Sequence, residues 1–160
     1  MYENYDGVGD AFDAFWVEVA KTFKNNPYVL GYELINEPWA GNIYEAPWKL
    51  IPSITDRLTL EPFYDRVAPK IREVDDDHLI FFESITFDDF VPVGFAHVPG
   101  GAEHALKSVL SYHWYNPPNL DKRTHFKVRE LDQERLGCGG FLTETGSTGD
   151  NTVDAMDVAD

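Results

Sequence analysis

This chain has little sulfur, few basic residues and no long apolar run. Cys138 is its one cysteine, which excludes a disulfide within the chain and a zinc site built from cysteines. Lys and Arg number 13 against 28 Asp and Glu, a net charge of −15, so charge-driven binding to nucleic acid or an anionic membrane surface is disfavoured. No apolar stretch approaches the roughly 18 residues of an integral membrane segment. Residues 1–6 also lack the basic and apolar regions of a signal peptide.

The chain does contain enough apolar material for a folded core. Hydrophobic residues make up 43% of the 160 residues and aromatic residues 14%. This composition predicts one globular unit over residues 1–160. The acidic balance favours an uncharged substrate.

Helical and strand-like apolar patterns alternate along the chain, which predicts βα units and a parallel sheet. Asp10 is the predicted cap of the first helix, and the run Asp75-Asp76-Asp77 is predicted to be a solvated turn. The predicted helices run to Phe23, from Glu61 to Val74, and from Phe126 to Leu136; the predicted strands are Tyr28 to Ile35, Leu79 to Glu83, Val109 to His113, and Phe141 to Glu144. Four strands alternating with helices indicate an α/β fold, a partial (β/α)8 TIM barrel.

Two glutamates stand at the carboxyl ends of apolar runs. Glu37 follows the first predicted strand, and Glu144 ends the last one. Two carboxyls about 5 to 5.5 Å apart, one protonated and one ionised, are what retaining cleavage of a glycosidic bond requires. We therefore expect Glu37 and Glu144 on adjacent parallel strands of one cleft, with carboxyls within about 4 to 6.5 Å.

The residues around both glutamates resemble the retaining glycoside hydrolases of family 5, and within them the endoglycoceramidases. The resemblance covers nearly the whole chain. Its main motifs are Asn36-Glu37-Pro38-Trp39, Leu60-Glu61-Pro62-Phe63-Tyr64, Ile80-Phe81-Phe82-Glu83, Leu110-Ser111-Tyr112-His113 and Gly140-Phe141-Leu142-Thr143-Glu144.

The resemblance implies a role for each matching residue. Glu37 is the expected general acid/base and Glu144 the expected nucleophile, while Tyr115 is directed toward Glu144 and His113 toward the sugar. Asn36 is expected to donate a hydrogen bond to the sugar 2-hydroxyl. Trp39 and Trp114 are the expected stacking surfaces for sugar rings.

The resemblance also implies the substrate and the part of the barrel. It implies cleavage between the glycan and the ceramide of a glycosphingolipid, without a metal or a cofactor, in a secreted or lysosomal protein. The chain corresponds to roughly strands 4 to 7 of the barrel, so we expect the isolated segment to be inactive. The oligomeric state is left open.

Several alternatives stay open at this stage. Asn36 can instead form a turn with the backbone, and His113, Trp39 and Trp114 can be ordinary core residues. Glu83 can line the cleft or hold a neighbour by hydrogen bonds. A further set of apolar residues can form a wall for lipid chains or simply pack onto the barrel, namely Trp48, Ile51, Leu58, Leu60 and Phe63.

Two other functions also remain open. One is an endoglucanase or other β-glucosidase of family 5 that acts on soluble glycans. The other is a non-catalytic carbohydrate- or glycolipid-binding relic.

Overall fold

The structure is a computed structural model that describes residues 1–85, 90–116 and 121–147. Helices and strands alternate as the sequence predicts. The helices are α1 (Val8–Phe23), α2 (Glu61–Arg72) and α3 (Lys122–Leu136), and the strands are β1 (Gly31–Glu33), β2 (Leu79–Glu83), β3 (Ser108–Asn116) and β4 (Gly139–Ser147). The acidic tail after residue 147 lies outside the described residues.

The four described strands form one parallel sheet in the order β1-β2-β3-β4. Together with the helices they form half of a TIM barrel, as the sequence predicts. All carboxyl ends of parallel strands lie at one edge of the sheet, and in this fold that edge carries the active site. The described part of the chain contains no helix long and apolar enough to cross a membrane.

The core lies between the sheet and helices α1 and α2. Leu34, Phe63 and Phe82 are almost completely buried in it, and burying each such side chain contributes roughly 1.5–3 kcal/mol. The ring of Tyr64 on α2 contacts both Phe82 on β2 and Phe95 on the following connection. These contacts attach α2 directly behind the strand that ends in Glu83.

The boundaries of the first helix and the first strand differ from the prediction. Gly7, not Asp10, precedes α1, and Asp10 lies in its first turn. Strand β1 is only three residues long, and Tyr28 is exposed. At Gly31 a Cβ atom would lie 2.3 Å from the carbonyl oxygen of Leu79. The chain therefore needs glycine where β1 comes so close to β2.

The acidic turn after α2 is also different from the prediction, because Asp75 is buried. The Tyr32 hydroxyl donates to its carboxylate at 2.5 Å, and His78 Nδ1 lies 2.7 Å from the same oxygen. Although burial disfavours the charged form, these hydrogen bonds lower the pKa of Asp75 below its usual value. This carboxylate therefore fastens the start of β2 to β1 instead of facing water.

The connection from β2 to β3 is held to the helical layer by buried carboxylates that accept backbone N–H groups. Asp56, which is fully buried, accepts from Ile85 at 3.0 Å and from Gly94 at 2.8 Å. Asp132 on α3 accepts from Val93 at 3.1 Å. Ile85, Val93 and Gly94 are thus fixed against the helical layer.

Replacing Asp56 with Ala is expected to destabilise the protein strongly. Two N–H groups lose their acceptor, that of Ile85, which is buried, and that of Gly94, which is partly buried. Each loss costs about 1–3 kcal/mol, so the free energy of unfolding falls by about 2–6 kcal/mol. Urea unfolding of the variant measures this loss. Glu130→Ala, which removes an exposed carboxylate on α3, serves as the control and changes the free energy by less than about 0.5 kcal/mol. A loss below 1 kcal/mol in the Asp56 variant, on the order of one ordinary surface pair, contradicts the anchoring role.

Candidate active site

The polar residues that end the four strands meet at the carboxyl edge of the sheet. Glu37 follows β1, Glu83 ends β2, His113 and Tyr115 lie in β3, and Glu144 lies in β4. One carboxylate oxygen of Glu37, one of Glu144 and a ring nitrogen of His113 all lie within 4.8 Å of one another. The two glutamates are therefore as close as expected from the sequence.

The expectation that the two glutamates lie on adjacent strands is wrong. Strands β1 and β4 are at opposite edges of the four described strands, with β2 and β3 between them. The sheet curves as part of a barrel, and its curvature brings the ends of the outer strands together. Both carboxylates reach solvent, with side-chain exposures of 41% for Glu37 and 40% for Glu144.

This pair can perform acid/base and nucleophilic chemistry on one bond. A carboxylic acid on one side can protonate a leaving oxygen while a carboxylate on the other side attacks the anomeric carbon. Among the described residues, Glu37, His113 and Glu144 are also the one group whose donor atoms are close enough to share a metal ion. The short distance between the carboxylates is equally what the retaining reaction requires.

A β-bulge at Thr143 directs Glu144 into the cleft. Tyr112 pairs with Leu142, but the next residue, His113, pairs with Glu144, so Thr143 is an extra residue on β4. Side chains of paired residues in a parallel sheet point to the same face. Without the bulge Glu144 would share the face of Leu142, whereas the bulge places it on the face of His113.

Tyr115 orients Glu144 through a hydrogen bond. Its hydroxyl donates to Glu144 Oε2 at 2.7 Å. The hydrogen bond to this carboxylate raises the pKa of the Tyr115 phenol above its usual value. The phenol therefore stays a donor near neutral pH and holds one oxygen of Glu144 in place.

His113 lies between the two glutamates. Its Nδ1 is 2.9 Å from Glu37 Oε1, and its Nε2 is 3.7 Å from Glu144 Oε1. The His113 side chain is buried, and Nε2 has no hydrogen-bond partner among the described residues. A polar atom of a substrate in the cleft can supply that partner.

The loop after β1 holds Glu37 in an unusual backbone conformation. Its φ is +43°, in the left-handed region that residues other than glycine rarely adopt. Glu83 Oε2 accepts the backbone N–H of Glu37 at 2.7 Å. Such strain persists where surrounding contacts fix it, and it is common at active sites.

Glu83 is a buried acid, only 5% exposed. Burial raises its pKa to about 7, although His113 and the N–H of Glu37 act in the opposite direction. The sequence left the role of Glu83 open. The structure places it next to both Glu37 and His113.

The two candidate stacking tryptophans differ in position. Trp39 is 48% exposed on the loop after Glu37, so its ring is accessible. Trp114 is only 3% exposed, and its ring contacts Phe126 on α3. Alternation along β3 directs His113 and Tyr115 to the cleft and Trp114 to the helices. The expectation that Trp114 stacks on a sugar is therefore corrected, and it is a core residue.

The remaining predicted residues lie at or near the rim. Asn36 is exposed directly before Glu37, and its contact with a sugar hydroxyl stays a prediction. Of the candidate lipid-facing residues, Leu60 and Phe63 are buried in the core and cannot contact a lipid. Trp48, Ile51 and Leu58 are exposed on the long connection between β1 and α2.

Two close carboxylates at the carboxyl ends of parallel strands, one held by a tyrosine, match the site of a retaining glycoside hydrolase. The sequence model of one protein family, the cellulases of glycosyl hydrolase family 5, matches residues 1–158. The chain belongs to this family.

Curated relatives share about half of the residues of this chain. It is 50% identical over 149 residues to an endoglycoceramidase of Hydra vulgaris, covering 93% of this chain and 29% of that protein. It is 49% identical over 158 residues to an endoglycoceramidase of Cyanea nozakii, covering 99% of this chain and 31% of that protein. The chain thus spans about 30% of the length of these relatives.

A solved structure has the same fold. Endo-glycoceramidase II from Rhodococcus sp., in a complex with a cellobiose-like imidazole, superposes with a TM-score of 0.72 at 20% identity. The match covers 94% of this chain and 37% of that one. It confirms that the half-barrel described above corresponds to a segment of a larger barrel.

Proposed function

We propose that this chain supplies the acid/base and the nucleophile of a retaining glycosidase that releases the glycan of a glycosphingolipid from its ceramide. The main support is the approach of Glu37 and Glu144 within 4.8 Å in one solvent-accessible cleft. The relatives from Hydra vulgaris and Cyanea nozakii, named endoglycoceramidases, support the substrate class.

The reaction takes place in two displacements. Glu144 attacks the anomeric carbon while Glu37 transfers its proton to the glycosidic oxygen, so ceramide leaves as an alcohol and a glycosyl-enzyme ester forms. Glu37 then takes a proton from water, whose oxygen attacks the anomeric carbon and releases Glu144. Two inversions give retention of configuration.

The described residues favour an enzyme over a binding relic. A relic needs neither a hydrogen bond from Tyr115 to Glu144 nor a strained backbone at Glu37, yet both are present. Half a barrel leaves the substrate without the walls that the other strands provide. We therefore propose that catalysis needs the rest of the barrel as well as this segment.

The substrate class is tested by comparing kcat/KM for a lipid-linked glycan with kcat/KM for a soluble one. The exposed Trp48, Ile51 and Leu58 offer an apolar surface on the connection that leaves the active edge of the sheet. Burying about 100 Å² of lipid there gives roughly 2.5 kcal/mol, or about 70-fold in kcat/KM. The full-length natural protein, or the Hydra vulgaris relative carrying this segment, should thus hydrolyse lactosylceramide about 70-fold better than a soluble lactoside.

Two variants test which surface of the protein causes the preference for lactosylceramide. Leu58→Asp is expected to reduce kcat/KM for lactosylceramide but not for soluble glycans, whereas Leu106→Asp, exposed before β3, changes neither. Equal kcat/KM for lactosylceramide and a soluble β-glucan supports the second candidate, a glucanase. The description of the family model as cellulase is the observation behind that candidate, whereas the relatives at 49–50% identity are named endoglycoceramidases.

A further inference from the structure

Glu83 is a buried carboxylate whose main chain is fixed from behind. The Tyr64 hydroxyl on α2 donates to the Glu83 carbonyl oxygen at 2.7 Å, and the Glu83 N–H donates back to this hydroxyl at 3.1 Å. Tyr64 itself is fully buried. The end of β2 is therefore a rigid base for the Glu83 side chain.

The two oxygens of Glu83 contact two different groups of the site. Oε2 accepts the Glu37 N–H at 2.7 Å, and Oε1 lies 3.5 Å from His113 Nδ1. The same Nδ1 is 2.9 Å from Glu37 Oε1. Glu83, Glu37 and His113 thus form a closed ring of contacts, and Glu83 is its most buried member.

We propose that Glu83 is the positioning residue of the acid/base: it holds the Glu37 backbone in its left-handed conformation and orients His113 against the Glu37 carboxyl. The inference rests on the proposed function of Glu37. Glu83 does not exchange a proton with the substrate, because two carboxylates complete the reaction.

The contacts of Glu83 with Glu37 and His113 explain why a carboxylic acid, and not a neutral amide, occupies this buried position. Burial of a carboxylate is costly, and a neutral amide can also accept a backbone N–H. A charged acceptor makes a stronger hydrogen bond, and it also attracts the Nδ1 hydrogen of His113. His113 Nδ1 lies 2.9 Å from Glu37 Oε1 and 3.5 Å from Glu83 Oε1, so in the tautomer that carries a hydrogen on Nδ1 both carboxyl groups hold the ring in one orientation.

Titration of Glu83 gives the arrangement a pH dependence. The groups that face it are Glu33 and Glu37 from β1 and its loop and His113 from β3, while Tyr64 contacts its main chain. With a pKa of about 7, Glu83 is ionised at pH 8 and mostly protonated at pH 5.5. The charged hydrogen bond to Glu37 is therefore nearly complete at pH 8, about half formed near pH 7, and weaker as the pH falls further.

The raised pKa of Glu83 also predicts how its substitution affects the Tm, which distinguishes a positioning role from a purely structural one. A carboxyl whose pKa is raised on folding stabilises the fold below its ordinary pKa and loses that stabilisation as the pH rises through about 7. Glu83→Gln, which never ionises, is therefore expected to have an unchanged or higher Tm at pH 8. A structural residue would lower Tm and activity together.

The activity test compares leaving groups in the full-length natural protein or in the relative carrying this segment. Dinitrophenyl β-lactoside needs no proton from Glu37, whereas an alkyl β-lactoside does. Glu83→Ala is expected to reduce kcat/KM for the alkyl lactoside about 10- to 100-fold more than for the dinitrophenyl lactoside. Glu83→Gln gives a smaller difference that grows from pH 5.5 to pH 8, where parent and variant differ in charge.

Glu61→Gln is the matched control, since Glu61 is another buried glutamate that accepts a backbone N–H, from Ala96, and its ion pairs are with Arg57 and His97. It leaves the ratio between the two lactosides unchanged. Equal losses on both lactosides in the Glu83 variants, with no pH trend, overturn the inference while the proposed function stands.

Amide exchange of Glu37 decides the inference even if neither lactoside is hydrolysed and the proposed function fails. Hydrogen exchange of the Glu37 N–H is expected to be at least about 10-fold faster in Glu83→Ala. Unchanged protection of this amide overturns the inference directly.

Discussion

Glu144→Gln in the full-length protein is expected to abolish hydrolysis of every glycoside. Loss of a covalent nucleophile lowers kcat on the order of 10⁴- to 10⁶-fold. A better leaving group does not restore the reaction, because the missing step is formation of the glycosyl-enzyme ester. Steady-state rates with alkyl and dinitrophenyl β-lactosides measure the loss.

The substitution keeps the shape of the site. Glutamine retains an oxygen that can accept the Tyr115 hydroxyl, so the variant should fold with an unchanged Tm. Glu130→Gln, an exposed position on α3, is the control for charge and keeps full activity. Residual hydrolysis above about one hundredth of the parent rate in Glu144→Gln is inconsistent with a nucleophile at this position.

Glu37→Ala is expected to have a large effect that depends on the leaving group. General acid catalysis contributes about 10²- to 10⁴-fold, so kcat/KM for ceramide or alkyl glycosides falls by that factor. For dinitrophenyl β-lactoside, which leaves without a proton, kcat/KM stays within about 10-fold of the parent. Rates with the two lactosides at one pH measure the difference.

A small anion provides the control for the second step. Azide needs no general base, so it should attack the glycosyl-enzyme of Glu37→Ala and give the β-glycosyl azide. Equal loss on both leaving groups, or no azide product, rules out Glu37 as the acid/base.

Local sequence patterns were sufficient to predict the strands, their parallel pairing and the strand ends that carry polar residues. Apolar runs of strand length between helical patterns have few alternatives in a domain of this size. The structure agrees for β2, which has the predicted bounds, and for the approach of Glu37 to Glu144. Alternation predicts the strands and their parallel direction, whereas the expected distance between the two glutamates came from the carboxyl separation that retention requires.

The details that complete the site depend on contacts distant in sequence. The bulge at Thr143 is set by how β4 pairs with β3, and no local signal in Phe141-Leu142-Thr143-Glu144 indicates it. The predicted strand ended at His113, whereas β3 continues to Asn116, so the prediction did not apply to Trp114 the alternation that directs it away from the face of His113. The predicted list of sugar-binding residues missed this signal.

The role of Glu83 is also beyond what the sequence can predict. Its position at a strand end is visible in the sequence, but its burial and its hydrogen bond to the Glu37 N–H are not. Those properties arise because Tyr64 and His113, from two other elements, enclose the same strand end. A sequence can indicate that an acid is present there, whereas only the packing decides whether it reacts or positions.

Covalent trapping of the nucleophile tests the central assignment most directly. A deoxyfluoro lactosyl fluoride forms the glycosyl-enzyme quickly but slows its hydrolysis, because fluorine destabilises the oxocarbenium-like transition state. After incubation with the full-length protein, digestion and mass spectrometry locate the sugar. We expect one lactosyl adduct per protein, on the peptide that contains Glu144. An adduct on the peptide that contains Glu37 or Glu83, or no adduct in a preparation that hydrolyses dinitrophenyl β-lactoside, contradicts the assignment of Glu144 as the nucleophile.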